Sequence, residues 1–62
     1  MDYIEGEELR RARMLVNEIN DFMLSISNEV NGKRAYKGYL NEKLDGLMRD
    51  INCLGSITGI IK

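Results

Sequence analysis

Between Leu9 and Val30 the apolar residues return at alternating spacings of three and four without a miss. Leu9, Ala12, Val16, Ile19, Met23, Ile26 and Val30 form one seam. That period belongs to a helix laid against another helix. Leu15 and Phe22 stand seven apart beside the seam and widen it, so this helix is expected to meet more than one neighbour. A second seam follows in Leu40, Leu44, Leu47, Ile51 and Leu54, entered through Tyr36, with Met48 beside it. Asn31-Gly32 separates the two; Gly32 is expected to supply the left-handed residue that closes the first helix. Lys33, Arg34 and Ala35 then form a connection of the length usual between antiparallel helices.

The expected fold is therefore all-α: one antiparallel two-helix hairpin over residues 1–62, with a helix about 7–30, a turn 31–35, a helix about 36–54 and an apolar tail 55–62. A turn centred near Lys33 sets Ile26 opposite Leu40, Met23 opposite Leu44, Ile19 opposite Leu47 and Val16 opposite Ile51. At the start, Asp2 and Glu5 have capping-box spacing, while Gly6 offers a second place for the helix to begin. Glu7 and Glu8 with Arg11, and Asp45 with Arg49, are spaced for helical ion pairs.

Sixty-two residues bury only roughly 60% of the surface that their unfolded chain exposes. Chains of this size gain stability from disulfides, a metal, self-association or very regular packing. One cysteine and no histidine leave little for the first two. Neither metal nor cofactor is expected, and self-association is. Something must cover Leu15, Phe22 and Met48, and a second copy completing a dimeric four-helix bundle is the commonest solution. A groove on a larger protein is the competing one.

The formal charge of −1 gives no general attraction to nucleic acid or acidic membranes. The longest uncharged run, from Ile51 to Ile61, is too short to span a bilayer, and the acidic start lacks a signal-peptide pattern. With a single unpaired cysteine, this suggests a cytoplasmic protein.

Lys33, Arg34, Tyr36, Lys37 and Tyr39 put three cations and two aromatics at the hairpin tip, a combination suited to a phosphate, nucleic-acid or acidic-protein contact. It equally describes a solvated turn in which Tyr36 plugs the core. Arg10, Arg11 and Arg13 make a second basic face with acids at pairing distance. Met14, Leu24 and Tyr39 fall outside both seams and are candidates for touching a protein partner. Cys53 reads as a half-buried structural thiol, with an intermolecular disulfide as the alternative. Glu18 with Asp21, and Glu42 with Asp45, are expected on the outer sides, where nothing perturbs a carboxyl. No phosphate loop, triad or metal spacing is present, and no catalytic residue is assigned.

The size and hairpin pattern resemble those of the small aspartyl-phosphate phosphatases that act on sporulation response regulators, whose second helix carries Ser-Gln-Glu-Leu-Asp. The nearest stretch is Asn41-Glu42-Lys43-Leu44-Asp45. It matches at Leu44 and Asp45 alone, so the activity is not carried over. In length and periodicity the chain is also similar to the plasmid-encoded antiparallel hairpin dimer that binds paired RNA loops. The function expected is that of a small non-enzymatic regulator, an inhibitor or corepressor of phage or sporulation type, which binds a larger protein and blocks or stabilises one of its states. A nucleic-acid-binding dimer using the tip or the Arg10–Arg13 face is the alternative, and a structural coiled-coil subunit a further one.

Overall fold

The computed structural model describes residues 3–61, and among them all regular structure is helical: α1 (Gly6–Val30) and α2 (Lys37–Thr58), packed side by side as an antiparallel hairpin. Glu5 is the extended N-cap of α1 and makes no side-chain capping bond. Gly6 stands at φ +61°, which glycine adopts without strain. Glu7 and Glu8 place negative charge in the first turn, where the helix dipole favours it. The capping box through Asp2 lies outside the described residues.

Gly32 does not close α1. Asn31 does so in a right-handed conformation, its Nδ2 donating to the Ser27 carbonyl at 2.8 Å and to Ser27 Oγ at 3.2 Å. The side-chain amide supplies what a left-handed glycine would have supplied. The loop is then tied across: the Tyr36 amide donates to Glu29 Oε2 at 2.9 Å, so a carboxylate of α1 holds the entry to α2.

At the other end, α2 runs four residues past Leu54. Its stop is Gly59, left-handed at φ +88°. The Gly55 carbonyl accepts from the Gly59 amide at 3.0 Å, the Ile61 amide at 3.1 Å and Thr58 Oγ1 at 3.1 Å. Gly55, expected to end the helix, is instead buried under the returning tail: a Cβ there would stand 2.6 Å from Ile61 Cδ1.

The helices meet through faces turned part of a revolution from those expected. On α1, Leu9, Ala12, Leu15, Ile19, Phe22 and Ile26 are buried or half-buried, whereas Val16, Met23 and Val30 are exposed. Tyr39, Lys43, Leu47, Leu54 and Ile57 of α2 are half-buried, Gly46 and Asp50 are buried, and Leu44 and Ile51 are exposed. The cause is the largest side chain of α1. Phe22 needs a depression in α2, and Gly46 is the residue that provides one: a Cβ at Gly46 would overlap the Phe22 ring. Seating that ring rolls Leu15 and Phe22 inward and Val16 and Met23 outward. The register still lies within a residue or two of the expected one, since Phe22 sits at the level of Gly46.

Gly46→Ala adds about 1 kcal/mol of helix preference but forces the ring from its seat, and overpacking costs about 1–3 kcal/mol. Thermal unfolding of this variant is expected several degrees below the parent, with part of the loss recovered when Phe22→Leu is added. A midpoint at or above the parent's would contradict the seating of Phe22 on Gly46.

Candidate interaction surfaces

The two broad sides of the hairpin differ in chemistry. Val16 and Met23 each follow a residue of the contact face by one position, and so do Leu44, Met48 and Ile51. One residue is 100° of helix rotation, in the same sense along both chains. Because α1 and α2 run antiparallel, equal rotation from the contact brings both sets to one side of the hairpin. Val16, Met23, Leu44 and Ile51 lie there in the open, at 42%, 54%, 41% and 48% exposure, with Met48 at the rim at 60%. A wide shallow groove lined by Leu9, Ala12, Arg13, Val16 and Asn17 opens on the same side.

The total surface is that of an open, elongated body. A compact folded chain of 7.1 kDa exposes about 4,100 Å² by the scaling of surface with mass, and this one, 48 × 19 × 15 Å, exposes 5284 Å². In keeping with this, no large side chain among the described residues is fully buried.

The opposite side is polar. Asp50 is 7% exposed, and its Oδ2 has no hydrogen-bond partner. Glu18 of α1 reaches it across the helix contact. The closeness of the Asp50 carboxyl, first of all, raises the Glu18 carboxyl above its ordinary range; desolvation and Asp21 add to the rise, and Arg49 opposes it. Glu18 is exposed, as expected, but its carboxyl is perturbed by Asp50, a buried polar group in a contact expected to be apolar. Beside them Arg11, Met14, Leu15, Glu18 and Cys53 border a shallow cleft of about 140 Å³. Cys53 is exposed, where a half-buried thiol was expected.

At the tip, Lys33, Arg34 and Lys37 are exposed, and none of the three forms an ion pair among the described residues. Tyr36 is 72% exposed and lies over Gly38 instead of plugging the core. Tyr39 is half-buried, with Lys43 Nζ 5.2 Å from its ring centre and 6.0 Å from that of Phe22. The carboxylate of Glu29 is committed to the loop. Among the described residues the ion pair that forms is Glu7 with Arg10, 3.4 Å, in place of the expected pairs with Arg11 and between Asp45 and Arg49.

The residues singled out from sequence therefore separate. Leu15 and Phe22 are half-buried against α2; Met48 is exposed on the apolar side; Met14 and Leu24 are exposed; Lys33, Arg34, Tyr36 and Lys37 gather at the tip, with Tyr39 drawn into the helix contact. Val16, Met23, Val30, Leu44 and Ile51, read as seam residues, are left open. Their exposure carries no sequence signal of its own: it follows from where Phe22 is seated.

No helix among the described residues is long and apolar enough to cross a membrane. Comparison with protein-family models, curated proteins and solved structures finds no match.

The Glu18–Asp50 pair makes stability depend on pH. Glu18 holds its proton more tightly folded than unfolded, so its contribution is fully present below the ordinary carboxylate value of 4.5 and is lost as pH rises through the raised folded value. Asp50→Asn removes the repulsion and gives Glu18 a donor. The parent's melting temperature is expected to fall on passing from about pH 4 to neutrality, through the range where perturbed carboxyls titrate, and the variant's to stay flatter and lie higher at neutral pH. Parallel profiles would contradict the pairing.

Proposed function

We propose that this chain is a small non-enzymatic regulatory protein that works as a dimeric four-helix bundle and binds a larger protein, blocking or stabilising one of its states. The open apolar side carries the reading. Val16, Met23, Leu44, Met48 and Ile51 stand 41–60% exposed together, on a hairpin with no fully buried large side chain among its described residues, and a protein surface against them would supply the missing core. Two hairpins closed through Val16, Met23, Leu44 and Ile51 make a bundle core of ordinary composition. The exposed tip of Lys33, Arg34, Tyr36 and Lys37, together with Met14 and Leu24 on the outer faces, then remains for the larger partner, an acidic protein surface being its electrostatic complement.

The unpaired tip cations favour one second reading, a nucleic-acid-binding dimer, which predicts affinity that falls steeply with salt. The two separate in one experiment. Lys33→Ser, Arg34→Ser and Lys37→Ser combined should leave helicity and mass in solution unchanged. With the parent as bait in a lysate of its own cells, one protein species should be retained that the triple variant loses, and neither DNA nor RNA should shift either chain at low salt. A shift of the parent alone supports the second reading; retention of the same species by the variant removes the tip from the contact.

A further inference from the structure

Given the proposed dimer, on which this inference rests, the structure also assigns its arrangement: we infer that the second copy lies on the apolar side with its tip at the opposite end, the two-fold axis crossing the hairpin between Ile19 and Asn20 of α1 and between Leu47 and Met48 of α2. Each end of the bundle is then a composite surface. The tip of one copy meets the first turn of the other.

Three observations converge on it. The first is the spacing of the open residues. A two-fold axis across an antiparallel helix pair maps each residue to one equally far on the other side of the axis. On α1 the midpoint of Val16 and Met23 lies between Ile19 and Asn20, and so does the midpoint of Leu9 and Val30. On α2 the midpoint of Leu44 and Ile51 lies between Leu47 and Met48. The observed register, with Phe22 at the level of Gly46, sets these two midpoints within about one residue of each other, roughly 1.5 Å along the axis. One axis therefore serves both helices: Val16 faces Met23 of the second copy, Leu9 faces Val30, and Leu44 faces Ile51.

The second is charge. With tips together, two clusters of Lys33, Arg34 and Lys37 would stand side by side with no carboxylate but the committed Glu29 among them. With tips apart they are separated by nearly the 48 Å length of the molecule, several times the screening length of about 8 Å at physiological salt. The same axis brings Lys33 and Arg34 to the level of Glu5, Glu7 and Glu8 of the second copy. Arg10 takes up Glu7, which leaves Glu5 and Glu8 at the level of the tip, and Arg11 and Arg13 lie further in, at the levels of Asn28 and Ile26. The third observation is exposure. Val16, Met23, Leu44, Met48 and Ile51 stand 41–60% exposed on that one side, while no large side chain among the described residues is fully buried, so a second copy meets apolar surface along both helices.

Position 20 separates this arrangement from its alternative. Asn20 is exposed and borders the apolar side with Met23, Leu24 and Ser27. With tips at opposite ends, α1 faces α1 of the second copy and residue 20 meets its own counterpart near the axis. With tips together, α1 faces α2, and residue 20 meets position 48. Ser27 lies about seven residues from the axis, so its two copies stand roughly 20 Å apart in the first arrangement. The test uses the full chain carrying Cys53→Ser, with Asn20→Cys or Ser27→Cys added, treated with a short thiol cross-linker while mass in solution is followed by light scattering.

The inference predicts a dimer by mass, near-complete cross-linking through position 20 alone and little through position 27. A dimer that cross-links only when Asn20→Cys is mixed with a Met48→Cys chain overturns the arrangement and leaves the dimer standing. A monomer at every concentration overturns both.

Discussion

The ring of Phe22 occupies the space that a side chain at residue 46 would fill, and this contact fixes the rotation of both helices as well as their register. The division of the hairpin into covered and open sides follows from it. With Phe22 seated, Leu15 and Ile19 face α2, while Val16 and Met23 turn outward on the side where Leu44 and Ile51 also emerge. The same rotation carries Glu18 over Asp50. Two helices can cover one arc of each other, and the apolar arcs here are wider than that, so whichever arc Phe22 selects, the remainder is left uncovered within the hairpin.

The polar side has a different physical character. A buried carboxyl group with an unpartnered oxygen is costly in a contact this small, and the neighbouring Glu18 adds a second acidic group beside it. Gly46 contributes stability through shape and Asp50 lowers it, and the seat at Gly46 holds the hairpin in the alignment that presents its apolar side as one surface.

The alternating seams made the helical hairpin, its antiparallel sense and its register legible in the sequence, because period and turn length are local properties of the chain. Which residues of a wide apolar arc face inward was not legible. Val16 and Leu15 are adjacent and of similar hydrophobicity, and the choice between them depends on a glycine thirty residues away. Glycine reads as a weak helix position and not as a seat for an aromatic ring, so the weight of Gly46 shows only in the packed structure. Asp50 was missed for the same reason: an acid one residue before a seam isoleucine looks outward on a seam centred on Ile51, and inward once the seam is rotated. At the helix ends, Asn31 and Gly59 carry the closures that Gly32 and Gly55 were expected to carry, since side-chain bonding and a folded-back tail compete successfully with local preference. The basic tip was legible as a cluster, and the packed loop adds that its nearest carboxylate is occupied.

The central claim is that the hairpin's stability is inseparable from a second copy covering its apolar side. Thermal unfolding followed by helical circular dichroism over a hundredfold range of chain concentration tests it most directly, because a folded dimer that dissociates on unfolding must melt at a higher temperature when more concentrated. The account predicts a midpoint that rises steadily with concentration, with helicity lost on extreme dilution. A sharp midpoint that is the same at every concentration would mean that the hairpin holds itself together alone, and would contradict it.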